Sequence, residues 1–492
     1  MHMRTTRNKI KQIIALVIAV INILQFSAFA EKEENVEYTY LDKLFSYASE
    51  LYIDESVTKE EILRRAVENY LKDNPEGLVS LLKAGFDGLD DYSEYYSGSE
   101  YQDYVDNINH TFYGIGVVIK GDGEYITINQ ILDGGSAKEA GLMAGDKITA
   151  VNGEDMKGKN VDYVQSKVVG ELDTEVSITV ERNGERSTYT LTRRPVNATT
   201  VSSIVLDDKT AYVSLTNFAI KTAQEFSDTL DELETKGITQ IILDMRGNPG
   251  GYLDSAVEIA RLTVPEGIIV QTMFRQEENN MTYYSELKDP KFKFAVLADE
   301  NTASSAEILT GAMQDSGIAR VFGTTTYGKA VIQDVFNMRN GDSFKITTGR
   351  YLTRNGREIN KKGIDPDEEV PNTTEPIDVS KYRTLNCSEE SSVGDSSENI
   401  SVVKERLGLL GYVLNNTDNT FDNDLEAFVL DFQIEKGLEP TGRLDKITLV
   451  QIENAFAKVE TLVDNQLYRA YEYFGGTREA LDKVLDGESE EN

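Results

Sequence analysis

Ile241-Ile242-Leu243-Asp244-Met245-Arg246-Gly247-Asn248-Pro249-Gly250-Gly251 is an apolar run that breaks into a glycine-rich turn. A helical pattern follows it from Ser255 to Leu262, and the same order stands upstream, with a β-type run Ala211 to Leu215 and a helical run Ala223 to Lys236. Strand and helix in alternation predict an α/β domain over 196–371, its sheet held between layers of helices. The turn's glycines let backbone amides come close to a ligand. It lacks the Lys-Ser/Thr ending of a phosphate loop, which argues against nucleotide binding.

The pattern changes on either side of this domain. From Phe112 to about Arg194 the apolar period is two with Gly-rich turns, predicting a β-rich domain over 106–195 with Pro195 at its border. Before it, 31–105 reads as helical, as in Leu41, Leu44, Phe45 and Ala48. After the α/β domain, 372–399 is polar and Ser/Glu-rich and reads as a linker. A small all-α unit is expected at 400–457 and a helical tail at 458–492, fraying after Asp486.

Arg4, Arg7, Lys9 and Lys11 precede an apolar stretch that ends at Ala28-Phe29-Ala30. Residues 1–30 therefore read as a secretory signal, the alternative being an uncleaved membrane anchor. At 492 residues the chain calls for several cores. The net charge of −34, from 84 acidic and 50 basic residues, argues against a nucleic-acid partner. Cys387 is the single cysteine, so no bridge forms within the chain, and with only His2 and His110 beside it no Cys/His zinc site is expected.

The shortage of histidine also bears on catalysis. With His110 far in sequence from any serine-rich turn, a Ser-His-Asp triad is not expected. A serine can instead be activated by a lysine that burial keeps neutral. Phe294 to Ala298 reads as a buried strand, and Glu300 to Glu307 turns into a helix through Ile308, Leu309 and Ala312. Ser304 there is either an N-cap or a nucleophile beside helix N-terminal amides. Downstream, Tyr327-Gly328-Lys329-Ala330-Val331-Ile332-Gln333 sets a lysine among apolar residues.

In this order, "LDMRGNPGG", "NTASSAEILTGAMQD" and "YGKAVIQ" resemble the carboxyl-terminal processing peptidases, or tail-specific proteases, from about Val36 to Pro371. The resemblance implies Ser304 as nucleophile, Lys329 as base and Gln333 as its assistant, with Gly250 and Ser305 supplying oxyanion amides. Ser304-Ser305-Ala306 stands where the family usually has Ser-Ala-Ser, which leaves Ser305 as a rival nucleophile. No metal or cofactor is implied.

The β-rich domain resembles a PDZ domain, through Tyr113-Gly114-Ile115-Gly116 and "AKEAGLMAGDKITAVNG" at 137–153. The loop Tyr113, Gly114, Ile115, Gly116 would hold a peptide carboxylate while the chain end joins a sheet edge. Some relatives place an arginine before the glycine that matches Gly170; here it is Val169. The all-α unit resembles a peptidoglycan-binding-like module, for wall binding or for assembly. The expectation is thus a multidomain α/β protein: a sheet-and-helix peptidase core with an inserted PDZ domain and a small all-α C-terminal domain. It would be an exported bacterial serine endopeptidase acting on protein C-terminal tails, homodimeric by family resemblance. The alternative is a catalytically silent, wall-associated adaptor.

Overall fold

The computed structural model describes residues 36–485, apart from 52, 54, 55, 99, 110, 122–124, 133 and 415. The signal or anchor expected at 1–30, the end beyond Asp486 and His110 lie outside the described residues. Among these no helix is long and apolar enough to cross a membrane. The described residues fall into two compact units, divided between Leu89 and Asp90.

The first unit is helical: Val36–Leu51, Lys59–Asp73 and Gly77–Asp87. Thr58 caps the second helix, its side chain accepting from the Glu61 amide at 3.3 Å. The helices bury little, and Leu44, Tyr47, Leu63, Tyr70 and Leu81 remain exposed.

The second unit is built on a six-stranded sheet in the order Val201–Val205, Thr210–Leu215, Gln240–Asp244, Lys293–Ala298, Ala319–Gly323, Glu368–Glu369. All neighbours are parallel except the first pair. Central parallel strands bury both faces, which is why Ile241-Ile242-Leu243 is apolar without alternation. Ile241 and Leu243 pack under Phe226, Val257 and Leu309, from the helices Thr222–Thr235, Leu253–Thr263 and Ser305–Ser316. Ile242 faces the other way, with Ala295, Leu297 and Phe322, onto Leu467, Ala470, Tyr471 and Leu481. The second helical layer is therefore the C-terminal tail itself, in the helices Asn465–Tyr473 and Arg478–Leu485.

A five-stranded antiparallel sheet stands beside this core, in which the long strand Ser343–Thr353 pairs with Glu94–Tyr96, Gly267–Phe274 and Val331–Asn337. The β-rich domain is an insertion whose ends, Thr111–Gly114 and Arg194–Asn197, pair as a two-stranded ribbon. Inside it, Val117–Gly121 is an edge strand of the order Val117–Gly121, Ile126–Ile131, Lys147–Val151, Glu175–Arg182, Glu185–Thr192, and Val161–Val168 is the longer of its helices.

The stretch 372–399, expected as a linker, contains a strand. Thr373–Pro376 pairs antiparallel with Glu460–Val463, so the helices Glu398–Leu409, Asn423–Glu435 and Lys446–Phe456 form a module whose two ends are zipped together. Polar composition concealed this pairing because the partner strand comes 87 residues later, taking Thr373 and Glu460. The module also meets the β-rich domain, where the Asn160 side-chain amide donates to the Leu414 carbonyl at 2.7 Å and Lys159 bridges Asn416.

Candidate active site

Two loops leave the carboxyl ends of the adjacent parallel strands Gln240–Asp244 and Lys293–Ala298, where open α/β sheets place their ligands. They are stitched together. The Gly247 amide donates to Asp299 Oδ1 at 2.9 Å, Thr302 Oγ1 to the Met245 carbonyl at 2.9 Å, and the Ala303 amide to the Asn248 carbonyl at 2.9 Å. The first loop is braced from outside as well, since Arg246 pairs with Asp244 and, through both terminal nitrogens, with Asp464 at 2.6 and 2.7 Å.

At the end of the second loop Ser304 opens the helix Ser305–Ser316 with φ 57° and ψ −118°. N-caps normally sit in the β region, so this backbone is strained for a non-glycine residue and must be held by its surroundings. Ser304 is half-buried; Ser305 is buried, its hydroxyl donating to the Gly251 carbonyl at 2.9 Å. Gly250 lies directly against this point. A Cβ on it would come within 2.8 Å of Ser304 Cβ and 2.9 Å of the Ser305 nitrogen, so only glycine fits. The Gly250 amide itself donates to Asn248 Oδ1 at 2.9 Å. Gly251 bridges Phe218 in parallel sense, the bonds being made by its two neighbours, while its own carbonyl accepts from the Ser305 hydroxyl. Among the described residues no partner takes the amide of Gly251 or of Ser305.

Lys329 follows Gly328, another position closed to a side chain by φ 86° and by the backbone of 362–363. The Lys329 amine lies 4.5 Å from the Tyr92 ring centroid. Burial lowers its pKa first and the Lys345 ammonium adds to this, while Asp90 and Glu307 oppose it. Tyr92 is pushed up to about 12, mainly by burial and then by its bond to Tyr327. Lys329, Tyr92, Tyr327, Gly247, Pro249 and Ala303 line a cavity of about 510 Å³. Gln333 lies on the strand Val331–Asn337 just after a register shift, and its amide nitrogen donates to Thr347 Oγ1 at 3.2 Å.

Two further residues tie Ser304 and Lys329 together. Glu307 is fully buried and accepts from the amides of Ser304, Gly328 and Lys329 at 2.9, 2.7 and 2.8 Å, and from Thr326 Oγ1 at 2.5 Å. Tyr351 donates its hydroxyl to the carbonyls of Ser304 at 3.0 Å and Lys329 at 2.8 Å. The sequence carries a signal for the first, since Ser-x-x-Glu at a helix start is a capping box. It carries none for Tyr351, which reaches the site from a strand 47 residues beyond Ser304.

In the β-rich domain the loop 113–116 turns its carbonyls inward: Tyr113 accepts from Gly170, Ile115 from Ala137 and Gly116 from Leu132, at 3.1, 2.9 and 2.9 Å. The amides of Ile115 and Gly116 have no partner among the described residues, and they stand at the head of the edge strand Val117–Gly121. Gly114 is the hinge between this loop and the ribbon, paired with Arg194. Under Gly170 lies buried Arg193, whose guanidinium donates to the Val168 and Lys167 carbonyls at 2.8 and 3.3 Å and closes the end of the helix Val161–Val168.

Residues 209–370 match the model described as "Peptidase family S41", 105–181 the "PDZ domain" and 396–452 the "Putative peptidoglycan binding domain". A protein of Staphylococcus aureus (strain MRSA252) described as "Probable CtpA-like serine protease" is 33% identical over 390 residues, 77% of this chain and 76% of its own. One from Staphylococcus epidermidis with the same description is 29% identical over 405 residues, 81% of this chain and 79% of its own. Among solved structures, a photosystem II D1 C-terminal processing protease is 26% identical, with a TM-score of 0.40, covering 67% of this chain and 92% of its own. The chain belongs to the CtpA-like peptidases of family S41 and combines an α/β peptidase core with an inserted PDZ domain and a small peptidoglycan-binding-like C-terminal domain.

Proposed function

We propose that the protein is a serine endopeptidase that takes protein substrates by their C-terminal tails, with Ser304 as nucleophile and Lys329 as general base. The observation that carries this is the pairing of a strained, half-buried serine at a helix N-terminus with a lysine driven toward neutrality by burial, their amides held by one carboxylate. The Ser305 hydroxyl is committed to Gly251, which favours Ser304 of the two serines.

Neutral Lys329 removes the Ser304 proton as Oγ attacks the scissile carbonyl, and the resulting ammonium protonates the leaving amine. The oxyanion is received by the amides of Ser305 and Gly251, since that of Gly250 is bound by Asn248. Water then hydrolyses the acyl-enzyme, with Lys329 again as base. Gln333 gives its amide nitrogen to Thr347 and keeps its carbonyl for the lysine ammonium. The amides of Ile115 and Gly116 bind the substrate carboxylate, and the chain end pairs with Val117–Gly121.

The family membership and the peptidoglycan-binding-like module support an extracytoplasmic site of action. The contacts of Asn160 with Leu414 and of Lys159 with Asn416 favour a structural role for that module. Exposed Leu44, Tyr47, Leu63 and Tyr70 are the surface we assign to homodimer formation.

The test is incubation with an unfolded protein and mass spectrometry of the fragments. Ser304→Ala and Lys329→Ala are expected to abolish cleavage. Ser305→Ala keeps its amide and is expected to retain a clear fraction of the rate. Full activity in Ser304→Ala with none in Ser305→Ala would reverse the assignment.

A further inference from the structure

Glu307 holds Ser304 and Lys329 by their amides. A residue held on one side of its Cα can still pivot about that bond, and the pivot swings the side chain. Fixing the direction of Cα–Cβ needs a second tie, on the carbonyl side. Tyr351 supplies it for both residues at once, with one hydroxyl shared between the Ser304 carbonyl at 3.0 Å and the Lys329 carbonyl at 2.8 Å. The Ser304 carbonyl also receives the Ile308 amide at 3.0 Å, while that of Lys329 has no other partner among the described residues. Tyr351 is itself fixed. Its ring is buried in the main core, its amide donates to the Ala330 carbonyl at 3.1 Å, and the residue before it pairs with Val331. Burial and the nearby Glu307 carboxylate hold its pKa well above the usual tyrosine range, so the hydroxyl keeps the proton it donates.

We propose that Tyr351 is a positioning residue for the peptidase reaction, its hydroxyl bridging the carbonyls of Ser304 and Lys329 so that nucleophile and base keep their mutual alignment. The proposal rests on the assignment of Ser304 and Lys329 above. It accounts for the strained Ser304 backbone, which persists only where neighbours over-determine it. Tyrosine is required because the donor must sit at the tip of a long, rigid, otherwise apolar side chain. Phenylalanine keeps the packing and loses the tie.

The experiment compares the parent with Tyr351→Phe on a fluorescence-quenched peptide that ends in a free carboxylate, with kcat expressed per folded molecule from circular dichroism. Misalignment of reacting groups by a fraction of an ångström to one ångström is expected to lower kcat roughly tenfold to a hundredfold with little change in KM. The acidic limb of the pH profile should stay in place, because the burial of Lys329 is not altered. Labelling of Ser304 by a fluorophosphonate should slow in parallel. Ser285→Ala is the control: it deletes another buried hydroxyl-to-carbonyl bond, 2.6 Å to Val264, and should lower Tm without changing kcat. p-Aminophenylalanine at 351 restores a donor at the same place and should recover kcat, which also answers the case in which the Phe variant folds poorly. Parent-like kcat in Tyr351→Phe, or a loss that p-aminophenylalanine does not repair, overturns the proposal. Ser304→Ala in the same assay tests the underlying assignment separately, since residual cleavage there would fail the assignment whatever Tyr351 does.

Discussion

An amine held against the Tyr92 ring with most of its water removed is easier to accommodate uncharged, and this ties the stability of the fold to the readiness of the base. Lys329 titrates below its ordinary value in the folded chain, whereas in the unfolded chain it returns to about 10.4. Between those two values the unfolded state binds more protons, so stability rises with pH across the window. Below the window the penalty of burying the amine is fully present, and above about 10.4 it is gone. Lys329→Met is therefore expected to be inactive at every pH yet more stable than the parent at neutral pH, with the advantage shrinking as the pH is raised. A Tm difference that stays constant from neutral pH to about 10.4 would contradict this reading of the amine. The residues of this site were unevenly legible. Ser304, Lys329 and Gln333 could be named because they lie in short ordered motifs. The choice between Gly250 and Gly251 as oxyanion donor was not legible, because which of two adjacent amides is free depends on Asn248, whose side chain accepts from the Gly250 amide. Tyr351 gave no warning, since a lone tyrosine in the mixed polar and apolar stretch 343–353 reads as an ordinary core residue.

At the level of elements, alternation of strand and helix was sufficient to find the sheet, and Ala211–Leu215 and Ile241–Met245 fall on its strands to within a residue at each end. One element escaped because its partner is distant in sequence: the strand Thr373–Pro376 is polar and edge-like. The helix Asn465–Tyr473 falls in the expected helical tail, but its docking on a sheet formed far upstream was not legible. The loop 113–116, by contrast, is specified by its glycines. Gly116 stands at φ 81° with Gly135 so close that a Cβ would lie 2.6 Å from the Gly135 Cα. Gly116→Ala should displace the loop and weaken capture of a tail carboxylate, a charge-assisted interaction of about 1.5–3 kcal/mol, or roughly tenfold or more in KM. With a C-terminally amidated peptide, parent and variant should be cleaved alike and slowly. An equal response of parent and Gly116→Ala to amidation would show that this loop does not read the terminus.

The molecule as a whole is assembled from insertions whose ends meet. The Ile377 amide bonds the Val459 carbonyl at 3.1 Å just past the zipped strands, so the helical module leaves and rejoins the core at one place. Replacing 383–457 with a short Gly/Ser loop should leave the core folded and able to cleave small peptides, while the brace from Leu414 to Asn160 is lost. Loss of the core's cooperative unfolding in that variant would count against the module being separable. Removing everything after Val463 is expected to do more damage, because it bares Ile242, Leu297 and Phe322, each worth roughly 1.5–3 kcal/mol when buried. It also takes Asp464 from Arg246, 218 residues earlier, at the root of the glycine turn 247–251. A ribosome makes that acid only after the whole peptidase core at 209–370. Until then the turn has no outer brace and the sheet has one bare face, so a chain not yet past residue 464 lacks both supports. Chains stalled before residue 464 should therefore be silent toward peptides that the finished chain cleaves, and the order of synthesis acts as a timer protecting whatever machinery is handling the nascent enzyme.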